Sequence, residues 1–414
     1  MISAQEAHEL IQSTKISSEV FAISEVSIEE ATGLFLAEDI FANRNQPPFD
    51  RSMMDGIAIS HSSFSQKKFQ RESIARAGFE RLTLENKTHC IEVMTGAPVP
   101  VGCDCVIPYE EVVGSGESFS FLSKDYTPKL GQFIHCEGID YLKGDKLLEK
   151  GASINSTIIS LLSSIGRETV KILELKNIAV ISTGDELIDG GKEVLDHQIY
   201  KSNPHAIRAE ILSFFPRATV NLFHFNDDEK EVLEGLTSIL SSYKIIIISG
   251  GVSKGKYDFI PESLKSLGVR EVFHHVRQRP GKPLWFGVGE SEQVIFGLPG
   301  NPVSSLVNTR RHIIPLLEKF VDKRLKTSFE VKASSDWEIG SNFTHFIPVS
   351  LNICEGIIFA TPSTGNNSGD FSKLVFSSGF IEIPPNEGRI VENQIYQYFP
   401  WGSLEGRIRT HGHG

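Results

Sequence analysis

A chain of 414 residues, 40% hydrophobic and 22% charged, is too long for one core and has the composition of a soluble globular protein of three or four compact units. A formal net charge of −11 argues against a general nucleic-acid binder, which needs a broad basic surface. No run approaches the length of a membrane-spanning helix, and "MISAQEAHEL" has neither the basic start nor the apolar core of a secretory signal, so a cytoplasmic protein is expected.

The N-terminal region opens with helix signals. Ser3 with Glu6, and Ser27 with Glu30, each fit the S-x-x-E box that satisfies the first free amides of a helix. "NQPPFD" (Asn45–Asp50) then breaks any helix, and to about Gly138 short apolar runs such as "GIAIS", "HCIEVM", "CVIPYEEV" and "SFSFL" predict a small all-β insertion. The cysteine total is odd and lacks a C-x-x-C pair, so no disulfide framework is expected. Cys103 and Cys105 should share one face of an extended segment as buried apolar residues.

Helix returns at "NSTIISLLSSIG", with Asn155 as cap, Gly166 as stop, and an apolar face of Ile158, Ile159, Leu161, Leu162 and Ile165. From Asn177 the pattern alternates. The apolar strands "NIAVIST", "TVNLFHF" and "KIIIISGG" are separated by amphipathic helices at "SNPHAIRAEILSFF" and "DDEKEVLEGLTSILSSY". A helix at "YDFIPESLKSLG", the strands "PLWFGV" and "QVIFGLP", and a helix from Pro302 to about Val321 follow. Continuously apolar strands between helices predict a mostly parallel sheet covered on both faces. After about Lys326 alternating runs broken by Gly, Pro and Asn predict a small barrel or sandwich. The expected divisions are 1–45 with 139–175 (helical and linker), 46–138 (inserted β), 176–326 (α/β) and 327–414 (C-terminal β).

Ligands of an open α/β sheet bind beyond the carboxyl ends of its strands. Four loops should share that edge: "STGDEL", "FNDDE", "SGGVSKGKYD" and "GLPGNP". They carry the carboxylates Asp185, Glu186, Asp227, Asp228 and Asp258, the hydroxyls Ser182, Thr183, Ser249 and Ser253, and glycines, among them Gly250 and Gly251, that let backbone amides approach a ligand. Asn301-Pro302 reads as a helix start, Asn as cap and Pro at the first helical position, which offers free N–H groups to an anion. "SNP" at Ser202–Pro204 repeats the device. With Arg279 and Lys282 nearby in sequence these loops suggest a phosphate cradle, and the carboxylates suit Mg²⁺, which takes a few carboxylate oxygens plus ligand phosphates. Asp227 and Asp228 read equally well as helix caps.

"PPFDRSMMDGIAI", "MTGAPVPVGCDCVIPYEE", "STGDEL", "SGGVSKGKYD", "RPGKP" and "GLPGNPVS", in that order along nearly the whole chain, resemble the MoeA family of molybdopterin molybdenumtransferases, whose animal relative is the E domain of gephyrin. The resemblance implies a multidomain α/β fold: a helical N-terminal segment, an inserted small β domain, a three-layer molybdopterin-binding domain and a C-terminal β-barrel-like domain. It also implies a homodimer with a shared cleft, and Mg²⁺-dependent insertion of molybdate into adenylylated molybdopterin with release of AMP. A molybdopterin adenylyltransferase is a candidate protein partner. A non-catalytic dimeric scaffold or a pterin-binding paralogue is the alternative. Carried over by motif, Asp55, Thr95 and Asp140 would line the cleft from the N-terminal half, and Glu186, Asp227 or Asp228, and Asp258 would face them, Glu186 and the aspartates as metal ligands. Lys282 would hold phosphate or molybdate. Pro299, Gly300 and Pro302 would shape the pterin pocket, and Ser368 matches loosely a serine of the C-terminal domain. The chain departs from the family at Arg279, where lysine is common, and at Lys254, Lys256, His135, Ile139 and Ile57.

Overall fold

The computed structural model describes residues 1–114, 116–252, 259–319, 321, 328–340, 342–363, 370–385 and 387–402. The chain forms two compact units: residues 39–149 with 163–166, and residues 1–38, 150–162 and 167–414.

The smaller unit is built on a six-stranded sheet in which Gly56–Ile59 is paired antiparallel to both Cys90–Val93 and Cys105–Pro108. Period-two alternation sends Ala58, Ile91, Val93 and Val106 into one apolar layer and Ile57, Ile59, Cys90, Cys105 and Ile107 into the other. Cys103 and Cys105 are both buried, but they do not share a face. Gly102 (φ +90°) turns the chain just before Cys103, and the strand begins only at Cys105, so alternation does not yet apply. Burial pushes the thiols of Cys90, Cys103 and Cys105 up to about 12, which leaves them as small apolar side chains.

In the larger unit the helix Ala4–Ser13 forms where the Ser3–Glu6 capping box places it, with both reciprocal hydrogen bonds present. The second box starts only a single tight turn, Ile28–Glu30, although Ser27 Oγ does accept from the Glu30 amide at 3.4 Å. The expected helical N-terminal segment is therefore corrected. The run ending at Ser27 is a strand, Phe21–Ser27, paired along its whole length with Thr169–Leu175, which Phe35–Leu36 also joins. Strand pairing over seven residues outweighs a local cap. The helix Ser156–Ser164 has its Asn155 cap, Oδ1 accepting from the amides of Thr157 and Ile158 at 3.1 Å each. Of its expected apolar face only Leu162 and Ile165 are buried.

The central sheet runs Val220–Phe225, Ile178–Thr183, Ile245–Ser249, Val294–Leu298, Trp285–Val288, Arg270–His274. Its first four strands are parallel, Trp285–Val288 runs antiparallel to them, and Arg270–His274, antiparallel in turn to Trp285–Val288, runs with the first four again, so the sheet is mixed. Alternation again divides it into two layers. Ile178, Val180, Ile245 and Ile247 pack with Ile207 and Ile211 of the helix Asn203–Phe214 on one face. Ala179, Ile181, Ile246 and Ile248 pack with Val232, Leu236 and Ile239 of the helix Glu229–Ser242 on the other. The helix opening at Pro302 widens into a π-helical turn at Thr309–Ile313 before Ile314–Glu318. Pro315, which has no N–H to give to the preceding turn, follows directly.

The C-terminal strands close into a barrel. Thr344–Cys354, Ile357–Pro362, Phe329–Ala333, Ile395–Pro400 and Gly379–Ile383 pair in succession, and Gly379–Ile383 returns to pair with Thr344–Cys354. Val331, Val349, Ala360, Ile381 and Tyr398 fill its interior, while Phe346, Phe380, Phe399 and Trp401 face the core beside the central sheet. Two buried arginines of the π turn fasten this contact. Arg310 Nε donates to the Pro400 carbonyl at 2.8 Å, and Arg311 Nε to Glu382 Oε2 at 2.7 Å. Val276–Arg279 leaves the central layer to pair with the barrel, Arg279 lying opposite His345.

Candidate functional site

The pairing register determines which loops share an edge. Ser182 lies beside Ser249 and His224, and Ser249 beside Leu298, so the chain leaves all four parallel strands at one edge of the sheet. Trp285 is antiparallel to Gly297, which brings the approach to that strand, Pro280–Leu284, to the same edge. The two proline-glycine loops of "RPGKPLWFGVGESEQVIFGLPGNP" therefore lie at one end of a hairpin.

At this edge a cleft of about 100 Å³ is lined by Ser182, Glu186, Tyr200, Lys201, Asn203, Ser249, Gly300 and Pro302, among others. Asn203 knits its floor, Nδ2 donating to Ser249 Oγ and to the Gly300 carbonyl, each at 2.8 Å. Asn203 is thus the first helical residue and not the expected N-cap. Ser202 holds the cap position without a side-chain capping bond. Ser182 Oγ lies 3.0 Å from His224 Nδ1. Burial, with the Lys201 charge second, holds the imidazole below its ordinary pKa. Lys201 is nearly buried and paired at 2.9 Å with Asp189, whose carboxyl its hydrogen bond helps hold down to about 2. The Glu186 carboxylate folds back over Gly184, where φ is +133° and a Cβ would stand 2.3 Å from Glu186 Oε2. Gly250 (φ +101°) crosses Thr183 closely, and a Cβ there would lie 2.8 Å from Thr183 Oγ1.

Asn301 is a true N-cap, with Oδ1 accepting from the Ser304 amide at 3.0 Å, and the Pro299 carbonyl is tied by Ser305 Oγ at 2.6 Å. Asp185 braces the neighbouring loop, Oδ1 accepting from the Asp227 amide at 3.0 Å. Asp228 caps the helix Glu229–Ser242 through the Glu231 amide at 2.9 Å, which commits one of its oxygens to structure.

A second cleft, of about 350 Å³, opens between the Arg279–Pro280 segment, Val303 at the helix start, and the barrel residues Trp337, His345, Ile347 and Ser363. Arg279 is exposed and adds to the burial that keeps His345 below its ordinary pKa. Lys282 is exposed on the adjoining turn. Ser253, Lys254, Lys256, Asp258 and Ser368 lie outside the described residues.

Three expected residues belong to the smaller unit. One oxygen of Asp55 accepts both the amide and the hydroxyl of Thr95, at 2.6 and 2.7 Å, and these bonds hold its carboxyl below the usual range. Asp140 Oδ1 accepts from His135 Nε2 at 3.1 Å, and His135 Nδ1 accepts from Arg51 at 3.2 Å. Arginine only donates, so the proton of a neutral His135 sits on Nε2, aimed at Asp140. Sequence reasoning passed over Arg51, Lys201 and His224, and read Asn203 only as a helix cap. Of the three, only Lys201 carried a signal, since it adjoins the second Asn-Pro helix start.

Among the described residues no three His, Cys, Asp or Glu side chains form a metal-holding group. No helix among them is long and apolar enough to cross a membrane.

Residues 2–166 match the family described as MoeA N-terminal region (domain I and II), 179–319 a probable molybdopterin binding domain, and 330–401 the MoeA C-terminal region (domain IV). The chain is 34% identical over 405 residues to a molybdopterin molybdenumtransferase of Synechocystis sp., covering 97% of this chain and 100% of that one. It is 35% identical over 400 residues to the protein of that name from Haemophilus influenzae, covering 92% and 94%. The crystal structure of a molybdopterin biosynthesis MoeA protein from Pyrococcus horikoshii superimposes with a TM-score of 0.80 at 28% identity, over 97% of this chain and 100% of that chain.

Proposed function

The chain belongs to the MoeA family as a molybdopterin molybdenumtransferase of molybdenum cofactor biosynthesis, and we propose that it inserts molybdate into adenylylated molybdopterin with Mg²⁺ and releases AMP. The observation that carries this assignment of roles is the convergence of four strand-end loops and the Pro280–Lys282 turn on one sheet edge. The cleft of Ser182, Asn203, Ser249 and Gly300 supplies hydroxyls, an amide and open backbone for a polar pterin nucleotide. Gly300 suits that role because no atom lies within 4 Å of where its Cβ would stand.

Arg279 and Lys282 supply the positive charge for an oxyanion beside that nucleotide, and Arg279 shares its cleft with the barrel residues Trp337 and His345. Glu186, Asp227 and Asp258 are the proposed Mg²⁺ ligands. Bound there, the cation neutralises phosphate charge. The protein's own part is to bind, orient and screen, since the dithiolene sulfurs of the substrate make the new bonds to molybdenum. Asp55 and Asp140, the first held ionised by Thr95, are assigned to the same reaction as acceptor groups.

Turnover of adenylylated molybdopterin with molybdate and Mg²⁺, followed as AMP release, tests the assignment. Lys282→Ala should lose about 1.5–3 kcal/mol of charge-assisted contact, or one to two powers of ten in molybdate affinity or rate. Unchanged turnover in that variant would reduce the turn to a structural device.

A further inference from the structure

The turn that carries Lys282 rests on a buried polar cluster of the larger unit. Gln278, Asn308 and His312 are respectively 1%, 0% and 0% exposed, amid the apolar core beside the central sheet. Gln278 Nε2 donates to the Gly281 carbonyl at 3.2 Å and to Asn308 Oδ1 at 2.6 Å, so both its hydrogens are engaged. Gln278 Oε1 lies 3.3 Å from His312 Nε2, and the amide oxygen makes that nitrogen the donor. Burial, with Arg311 as the second cause, keeps His312 neutral, which permits this single-proton arrangement.

We propose that Gln278 and Asn308 are positioning residues for the oxyanion-binding turn, with His312 fixing the orientation of the Gln278 amide. This role rests on Lys282 being the oxyanion contact. Three features converge on it. Gln278 is held twice, because its backbone pairs with Thr344 of the barrel while its side chain reaches under the turn. Gly281 has φ +90°, and a Cβ on it would stand 2.5 Å from Asn308 Nδ2 and 2.8 Å from Gln278 Nε2, so turn and amides fit only with glycine above them. The third is the π turn, which begins immediately after Asn308 and carries His312, so that both face Gln278 from one helix. An apolar filler would bury here at less cost than three amide and imidazole groups. What the polar set adds is one defined height and direction for the Gly281 carbonyl, and hence for the next residue, Lys282.

Steady-state kinetics of the full chain, with molybdate varied against saturating pterin nucleotide, test this. Gln278→Met keeps length and volume and should raise the molybdate KM about tenfold, with kcat and pterin-nucleotide affinity held within twofold. A double variant, Gln278→Met with Lys282→Ala, should show the KM of Lys282→Ala alone, because the glutamine acts only through the lysine. A lower melting temperature with unchanged KM, or losses that multiply in the double variant, would overturn the proposal. Should Gln278→Met not fold, Asn308→Ala, which frees one Gln278 hydrogen, must raise the molybdate KM in the same way or the proposal fails. The two levels separate cleanly. If Lys282→Ala leaves the molybdate KM unchanged, the oxyanion assignment itself is wrong. If Lys282→Ala raises it and Gln278→Met does not, only the positioning role is wrong.

Discussion

Asp55 receives two hydrogen bonds on one oxygen, and both favour its charged form. Its folded pKa lies below its unfolded one, so the stability it contributes is present above the unfolded value and is lost as pH falls through the depressed folded value. The carboxylate therefore stays ionised across the neutral range. Thr95→Val removes the hydroxyl and keeps the amide, so the Asp55 titration followed by NMR should move up toward the ordinary carboxylate range and stop short of it. No movement would mean that the hydroxyl contributes nothing. The sequence named Asp55 and Thr95 through their motifs but could not pair them, because 40 residues separate the partners. His135 stood out only as a departure from the family. Its place between Arg51 and Asp140 depends on the strand pairing that sets Arg51 opposite it.

At the scale of elements, helix starts were the most legible feature and helix docking the least. In sequence Asp228 reads as either a cap or a metal ligand, and the cap is what the helix Glu229–Ser242 uses. Asp228→Asn retains a capping oxygen and should leave stability unchanged, whereas Asp228→Ala should cost about 0.5–2 kcal/mol in a denaturant melt. A loss of Mg²⁺-dependent turnover in Asp228→Asn would restore its metal role. The first helix shows the other side. His8 looks unremarkable in sequence, yet burial, with Arg311 as a second cause, lowers its pKa to about 4. The unfolded chain binds that proton near pH 6.5 and the folded chain only near 4, so stability should fall as pH drops through this window. In His8→Leu the decline in melting temperature between those pH values should be shallower. An equal decline in both proteins would place the acid sensitivity elsewhere. Strands of the central sheet were readable because residues buried on both faces leave a continuous apolar run. Phe21–Ser27 was missed because its half-exposed alternation is short and a capping box overlaps its end.

For the whole molecule the family assignment carries an expectation of a homodimer with a shared cleft. Sedimentation at micromolar concentration should show a dimer, and mixing exchangeable Asp55→Asn and Lys282→Ala chains in equal amounts should recover about a quarter of the activity, since about half the dimers are heterodimers and one of the two clefts in each keeps both groups. A fully active monomer, or no recovery on mixing, would refute that architecture. By itself the sequence determined the chemistry of the sheet edge: its glycines, its carboxylates, the Asn301-Pro302 helix start and the mostly parallel strand run. These follow from φ preferences, capping and periodicity, which act within a few residues of one another. Tertiary structure alone decided that Trp285–Val288 runs antiparallel and so returns the Lys282 turn to that edge. It also decided that the barrel supplies a wall beside Arg279, and that Gln278 meets Asn308 across 30 residues of chain beneath Gly281. Such contacts arise from strand order and layer packing, where partners distant in sequence become neighbours, and no local pattern of residues records them.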